Sequence, residues 1–323
     1  MLRPVHFLIY LNRSGSTLLA QKLSQFEDIA VGLECSLGKG FSPNFYVENT
    51  KQLNYWLDQA YADNKFLSWG ISRDILYQAL QSQKMPFRID KFLKCAMNEQ
   101  FKDDSAKILI HKGREIFGNL EYSLQLFDDA KVVFIQRDPR AIYNSQKKSI
   151  DSFTKQPMQT DVVRFAIDYK NTKLRLKHYF KRRNLKNRLL VVNYEDLLKH
   201  EHEELKKIIE FLDVSSCKRK NFSGYNSNIP AEQQHLHENI DKGNIKERIF
   251  AWKKELALED QIFLNIVLKK EIYIKDKSDI NIRYLSLKKL TQFIKRIFLF
   301  YYKNLPKQYI KIILIKIRMR NSF

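Results

Sequence analysis

Residues 10–17 (YLNRSGST) include the small, hydroxyl-bearing and cationic residues that typically bind phosphate groups. The polar part, residues 12–17, follows the apolar run 5–11, which is typical of a buried strand in a parallel sheet, and precedes a helical pattern over 18–26. A strand-to-helix turn directs free backbone N–H groups at an anion, and Arg13 adds a cation here. The segment therefore predicts a phosphate-binding loop. The alternative is a glycine turn that only begins a helix.

This loop differs from the P-loop of ATP-binding enzymes at two positions. Gly15 and Thr17 fit the pattern GxxxxGK[ST]. Tyr10 stands where the first glycine belongs, and Ser16 stands where the lysine belongs. Because that lysine reaches the terminal phosphates of ATP, a loop without it favours another phosphate-containing ligand. Arg13 would supply the cation from the other side of the loop.

A second phosphate site is indicated by residues 132–145 (VVFIQRDPRAIYNS). The apolar half predicts a strand, and Asp138-Pro139 predicts the N-cap and first position of a helix. Arg137 lies at the carboxyl end of the strand, where open α/β sheets bind ligands, and Ser145 lies two turns into the helix. An arginine and a hydroxyl can together clamp a phosphate. The alternative is a capped helix with surface arginines.

As a pair, these motifs resemble those of sulfotransferases that use 3′-phosphoadenosine 5′-phosphosulfate (PAPS). RSGSTLL resembles the family's 5′-phosphosulfate loop, and RDPR with Ser145 resembles its 3′-phosphate site. The loop is closer to that of the Golgi tyrosylprotein sulfotransferases and bacterial relatives than to the cytosolic enzymes, which carry lysine in place of Arg13. The resemblance spans about residues 5–272 and is loose over about 40–105, where the acceptor is expected to bind.

The resemblance implies a site for PAPS as co-substrate. Arg13 is also expected to act in catalysis, by stabilising negative charge on the leaving oxygen. Tyr194, in VVNYEDL, matches a tyrosine that contacts the cofactor, and Lys242, in DKG, partly matches an Arg-Lys-Gly near the 3′-phosphate. The full set of implied cofactor contacts is Arg13, Ser14, Gly15, Ser16, Thr17, Arg137, Ser145, Tyr194 and Lys242.

The resemblance also indicates catalytic groups. Glu34 follows the short apolar segment 29–33, which we expect to form a strand beside the first, so that Glu34 reaches the rim of the phosphate loop. Tyrosylprotein sulfotransferases carry their catalytic glutamate at a matching place, which implies that Glu34 is the general base; otherwise it is a solvated carboxylate. Lys112, after the predicted strand 107–110, resembles a catalytic lysine of those enzymes; otherwise it is a surface lysine. His111 is the alternative base.

The positive charge of the chain is concentrated near its C-terminus. The net charge is +21, and residues 273–323 contribute +11, from 13 Lys and Arg against two Asp. We expect a sulfotransferase domain over 1–272 and a basic amphipathic extension over 273–323. The extension either packs on the domain or attaches to an anionic membrane through 286–318. Its apolar residues at three- and four-residue spacing are Leu287, Leu290, Ile294, Ile297 and Tyr301.

Cysteine and histidine spacing predicts neither a disulfide framework nor a metal site. The cysteines are few and far apart: Cys35, Cys95 and Cys217. The pairs His200/His202 and His235/His237 lack further ligands at typical spacing, so no metal is expected. We expect no signal peptide, because only Arg3 precedes the first apolar run and Arg13 soon ends it. No run reaches the roughly 18 apolar residues of a membrane span. We expect a cytoplasmic protein, peripheral at the inner face of a membrane at most, with no nucleic-acid partner.

Predicted strands and helices alternate along the chain. This alternation predicts an α/β fold of three layers, a parallel sheet flanked by helices, and the resemblance implies the P-loop-like topology of sulfotransferases. The function it implies is transfer of a sulfuryl group from PAPS to a hydroxyl or amine of a glycan, glycolipid or other metabolite, without a metal. Two rivals stay open: a P-loop-type nucleotide kinase, and a non-enzymatic module that binds membrane or nucleic acid through the basic tail.

Overall fold

A computed structural model describes most of the chain, with gaps. The described residues are 2–35, 37, 44–151, 154–215, 218–220, 246–272 and 286–304. The chain divides into two compact units, Met1–Arg137 with Tyr179–Lys246, and Asp138–His178 with Glu247–Phe323. The first unit contains a β-sheet, whereas the helices of the second unit make up most of its described part.

The sheet of the first unit has five strands, and all of its pairings are parallel. Its strands are β1 (Val5–Tyr10), β2 (Ile29–Val31), β5 (Ile108–Lys112), β6 (Val132–Gln136) and β7 (Leu189–Asn193). They lie in the order β2-β5-β1-β6-β7, and every residue of β1 and β5 is buried. Two short strands, β3 (Tyr46–Val47) and β4 (Phe87–Arg88), form a separate antiparallel pair.

The position of β2 corrects one prediction. β2 does not lie beside β1, because β5 pairs with both and separates them. With only three residues, β2 suits the edge of the sheet, whereas the longer, wholly buried β5 suits its interior. Glu34 nevertheless lies at the same rim of the sheet as the phosphate loop. Since the strands are parallel, their carboxyl ends meet at one rim, and Glu34 lies just beyond the end of β2.

Helices flank this sheet, as the alternation of patterns predicts. The helices of the first unit are α1 (Ser16–Ser24), α2 (Thr50–Tyr61), α3 (Asn64–Leu67), α4 (Arg73–Gln81), α5 (Asp90–Gln100), α6 (Leu120–Leu126), α9 (Arg183–Lys186), α10 (Tyr194–Lys199) and α11 (Glu201–Phe211). A 3₁₀ turn at Glu115–Asn119 precedes α6. Leu19 and Leu23 of α1 are fully buried, and Phe92 and Leu93 of α5 are at most 1% exposed. These apolar faces hold the helices against the core.

The second unit is built around a capped helix. Its helices are α7 (Pro139–Lys148), α8 (Val162–Lys181, which ends in the first unit), α12 (Trp252–Glu255), α13 (Leu258–Val267) and α14 (Leu287–Asn304). The predicted cap is confirmed, because the Asp138 carboxylate accepts a hydrogen bond from Arg140 N at 2.8 Å. The Arg140 guanidinium also donates to both carboxylate oxygens, at 2.9 and 2.6 Å, and lies over the Trp252 ring.

The strand order identifies where a ligand would bind. β1 and β6 are neighbours, but the chain leads from β1 to β2 on one side of the sheet and from β6 to β7 on the other. Open α/β sheets bind ligands at the carboxyl ends of strands at such a switch point. Residues 11–15 and Arg137 occupy this point. None of the helices in the described part of the chain is long and apolar enough to cross a bilayer.

Candidate active site

The predicted phosphate loop turns sharply between β1 and α1. Arg13 has φ of 70° and Gly15 has φ of 94°, a left-handed backbone that glycine adopts at little cost. α1 then begins at Ser16, and no side chain of the described residues caps it. The first N–H groups of α1 are therefore available to an anion. The side chains of Ser14, Ser16 and Thr17 are buried at this turn.

Tyr194 and Arg137 hold the loop from the side of β6 and β7. A Cβ atom on Gly15 would lie 2.2 Å from Cδ2 of Tyr194, so only glycine fits against this ring. The Arg137 guanidinium carbon lies 4.3 Å from the centre of the same ring, and its Nη1 donates to the Arg13 carbonyl at 3.2 Å. The structure thus brings four of the predicted cofactor contacts into one packed group: Arg13, Gly15, Arg137 and Tyr194.

Glu34 approaches the loop from beyond β2. Lys65 Nζ lies 3.2 Å from Glu34 Oε1, and both side chains are partly exposed. Burial raises the pKa of the Glu34 carboxyl, but Lys112, Lys65 and a hydrogen bond from the Tyr10 hydroxyl outweigh burial, so its pKa lies below the usual value. The group is a carboxylate at neutral pH, which is the form that a general base requires.

Lys112 is the last residue of β5, and its side chain is buried beside the loop. Its Nζ donates to Thr17 Oγ1 at 3.0 Å and lies 5.3 Å from the centre of the Tyr10 ring. Burial lowers the pKa of Lys112 to about 8, and the charges of Lys65 and Arg13 lower it too, whereas Glu34 raises it. Lys112 is therefore no surface lysine. Its ammonium group contacts the loop at Thr17 and interacts electrostatically with the Glu34 carboxylate.

His111 is separated from this group by the pleat of β5. Successive side chains of a strand point to opposite faces, so His111 points away from Lys112. Its Nε2 lies 3.0 Å from Glu115 Oε1, and its ring contacts Phe7 and Trp69 edge-on, with centroids 6.1 and 6.2 Å away. These contacts place the imidazole in the packed interior beside the sheet, which makes it a poorer candidate for a base than Glu34.

The structure does not test two residues of the predicted cofactor site. Ser145 is on α7 in the second unit, two turns from the start of that helix. Its role at the 3′-phosphate stays a prediction. Lys242 lies outside the described residues. Within the described ranges, no group of three or more His, Cys, Asp or Glu side chains is placed to hold a metal ion.

Sequence reasoning missed the roles of Lys65 and Tyr10. Lys65 is the second residue of α3, and the Asp63 side chain accepts a hydrogen bond from its backbone N–H at 3.0 Å. A capping aspartate signals the start of a helix, but no local pattern shows which distant residue that helix faces. The sequence did carry a signal for Tyr10, because this residue replaces the first glycine of the P-loop pattern. In the structure its ring lies beside the Lys112 ammonium.

Comparison with known proteins identifies related sequences. The model of the sulfotransferase family matches residues 4–217 of this chain. The protein-tyrosine sulfotransferase of Drosophila melanogaster is 26% identical over 215 residues, which make up 65% of this chain and 38% of that protein. The chain thus matches well under half the length of this curated relative. The family match extends from β1 to α11. It includes Lys112 and the residues described above as interacting with it: Tyr10, Arg13, Thr17, Glu34 and Lys65.

Comparison with solved structures bears on the fold. The sulfotransferase domain from the curacin biosynthetic pathway is 15% identical, with a TM-score of 0.51, over 83% of this chain and 97% of that domain. The sulfotransferase domain of the Synechococcus PCC 7002 olefin synthase is 18% identical, with a TM-score of 0.47, over 91% of this chain and 94% of that domain. The first similarity confirms the predicted α/β fold, a parallel sheet flanked by helices.

Replacing Glu34 by glutamine is expected to lower the pKa of Lys112 still further below about 8, because the carboxylate is the neighbour that favours the ammonium form. An NMR titration of the Lys112 side chain in wild type and Glu34→Gln measures this change. Glu115→Gln is the matched control, since that carboxylate pairs with His111 and should leave the Lys112 pKa unchanged. A Lys112 pKa that stays the same or rises in Glu34→Gln would contradict the geometry of the site.

Proposed function

The chain belongs to the sulfotransferase family, and we propose that it transfers a sulfuryl group from PAPS to a hydroxyl or amine acceptor. One observation carries the proposal. A loop shaped for phosphate, a buried ammonium group and an ionised carboxylate converge at one rim of the sheet. The proposed transfer needs these three elements: a holder for the 5′-phosphosulfate, a cation near the leaving group, and a base for the acceptor.

The proposed reaction is an in-line displacement at sulfur. The acceptor oxygen or nitrogen forms a bond to sulfur while the bond from sulfur to the bridging oxygen of adenosine 3′,5′-bisphosphate breaks. The acceptor proton passes to Glu34, and negative charge builds on the bridging oxygen. Lys112, Arg13 and the first N–H groups of α1 stabilise that charge. Catalysis then rests on positioning and electrostatics, and no step requires a metal.

The nucleotide end of PAPS is assigned to the group formed by Tyr194 and Arg137. Tyr194 fixes the loop through Gly15, and the Arg137 guanidinium is held on the tyrosine ring. Arginine binds phosphate with a planar fork of donors, which suits it to the 3′-phosphate. Ser145 and Lys242 complete this site in the proposal.

Lys65 is proposed as a positioning residue for the base. Its ammonium contacts one carboxylate oxygen of Glu34, which fixes the direction of the carboxylate and lowers its pKa. It belongs to the segment of about residues 40–105 in which we expect the acceptor to bind. The acceptor group is proposed to be a hydroxyl or amine of a glycan, a glycolipid or another metabolite, and turnover of PAPS against a panel of such compounds tests this class.

The rival kinase function is tested by ligand binding. Ser16 replaces the lysine that P-loop kinases use to hold the terminal phosphates of ATP. Adenosine 3′,5′-bisphosphate should therefore bind without magnesium, and ATP should not bind more tightly with magnesium present. Tighter binding of the magnesium complex of ATP, together with phosphoryl transfer, would overturn the proposal.

Glu34→Gln is expected to lower kcat by about 100-fold or more, which is the usual scale of a lost general base. Its affinity for adenosine 3′,5′-bisphosphate should hold, because the carboxylate faces the acceptor side. Steady-state kinetics with PAPS and titration calorimetry measure the two quantities. Glu115→Gln serves as the control and should keep wild-type kcat. A near wild-type kcat for Glu34→Gln would remove Glu34 from the mechanism.

The pH dependence of kcat/KM is expected to show an alkaline limb near pH 8. The free enzyme loses the Lys112 charge there, because burial depresses the lysine pKa from its ordinary 10.5 to about 8. The acid limb should lie below pH 4.5, since the pKa of Glu34 is lowered from that value. Initial rates at low substrate concentration measure both limbs. In Lys112→Met the rate should be low and the alkaline limb absent, whereas a persistent limb would assign it to another group.

Arg137→Ala is expected to weaken binding of adenosine 3′,5′-bisphosphate by about 10- to 100-fold, the scale of one charge-assisted hydrogen bond of about 1.5–3 kcal/mol. Titration calorimetry measures the affinity. Arg114→Ala, an exposed arginine of the same unit, is the matched control and should bind as wild type does. Unchanged affinity in Arg137→Ala would show that the 3′-phosphate binds elsewhere.

A further inference from the structure

Helix α14 (Leu287–Asn304) is fixed on the second unit by one of its faces. Phe293 is 4% exposed and Phe300 is fully buried, with its ring 6.0 Å from that of Phe263. Beside these rings, Arg296 Nη1 pairs with Asp260 Oδ1 at 2.9 Å, and Lys289 Nζ pairs with Glu259 Oε2 at 3.3 Å. Aromatic packing and two ion pairs therefore set the rotation of the helix about its own axis.

The opposite face of α14 carries a second apolar stripe, which is open to solvent. Ile294, Phe298, Tyr301 and Tyr302 are 59%, 70%, 51% and 39% exposed. Their spacing of i, i+4, i+7 and i+8 places them on one face, about 12 Å long at 1.5 Å per residue. The rings of Phe298 and Tyr302 stack at 6.1 Å. The sequence predicts a single apolar face for this helix, whereas the structure shows a buried face and an exposed one.

The charged residues near the exposed stripe in sequence are all basic. Lys295 and Lys303 are exposed at its two ends. From Ser286 to Phe323 the sequence contains ten Lys and Arg and no Asp or Glu. An occupant of this face must therefore accept apolar and aromatic side chains and also bring negative charge.

We propose that the exposed stripe of α14, defined by Ile294, Phe298, Tyr301 and Tyr302, docks on the surface of an anionic phospholipid bilayer. At the boundary between headgroups and acyl chains, apolar and aromatic side chains leave water while neighbouring lysines meet lipid phosphates. A second copy of this chain would bring the same positive charges together, which is unfavourable. A nucleic acid would match the lysines but leave the apolar stripe in water.

The docking leaves the fold unchanged. Phe293 and Phe300 stay buried and Phe300 keeps its contact with Phe263, so α14 meets the bilayer as a preformed helix rather than folding on contact. Binding should then depend on the exposed side chains and not on the stability of the protein.

Co-sedimentation of the full-length protein with vesicles tests this docking. Wild type should bind vesicles of phosphatidylcholine with about 30% phosphatidylserine at least tenfold more tightly than vesicles of phosphatidylcholine alone. Ile294→Gln with Phe298→Gln should weaken binding tenfold or more, with wild-type thermal unfolding and PAPS turnover on a soluble acceptor. The control pair, Leu174→Gln with Ile150→Gln, alters equally apolar exposed positions of the second unit and should bind as wild type does.

A second variant separates charge from apolar contact. Lys295→Glu with Lys303→Glu keeps the stripe and should also weaken binding to the anionic vesicles by tenfold or more. Wild type that fails to bind the anionic vesicles, or a stripe variant that binds them as tightly as wild type, would overturn the proposal. So would a dimer in sedimentation velocity that only the stripe variant dissociates, because the stripe would then belong to a second copy.

Discussion

The buried ammonium group of Lys112 is the charge around which the rim of the sheet is arranged. Removing an ammonium ion from water costs several kcal/mol unless neighbouring groups compensate. Thr17 accepts a hydrogen bond from it, the Tyr10 ring lies beside it, and the Glu34 carboxylate favours its charged form. These partners come from the end of β1, the start of α1 and the end of β2. One buried charge at the end of β5 thus joins the two ends of the phosphate loop to the more distant segment after β2.

On the other side of the loop, the ring of Tyr194 packs against Gly15 and Arg137. Tyr194 follows β7, and its ring occupies the space that any side chain at position 15 would need. Position 15 therefore requires glycine for two reasons: its φ is positive, and the Tyr194 ring leaves no room for a Cβ atom. Arg137 lies on the same ring and reaches the backbone of the loop at Arg13. The loop is held between a cation–aromatic stack and a buried ammonium, which limits its movement before any ligand binds.

Local patterns predicted the parts of the fold that depend on neighbours in sequence. The phosphate loop after β1 and the cap at Asp138 follow from residues within one or two turns of each other. The order of the strands does not, because the crossover from β1 to β2 gives no sign that β5 will lie between them. Lys65 was missed for the same reason, since its contact with Glu34 depends on how α3 packs. In α14, periodicity showed apolar residues but could not divide them between two faces.

The rim around Lys112 holds more positive than negative charge. Lys65 and Arg13 both oppose protonation of Lys112, and Glu34 is the carboxylate that counters them there. This repulsion is a cost that the folded protein bears before it binds anything, and a multiply charged anion would relieve it. Below about pH 8 Lys112 is already protonated, so an anion would bind without a change in its protonation. Above that pH Lys112 is neutral, and binding of an anion would be coupled to uptake of a proton by Lys112. Because the cations are assembled during folding, little reorganisation is left for the step of the proposed reaction in which charge moves to a leaving oxygen.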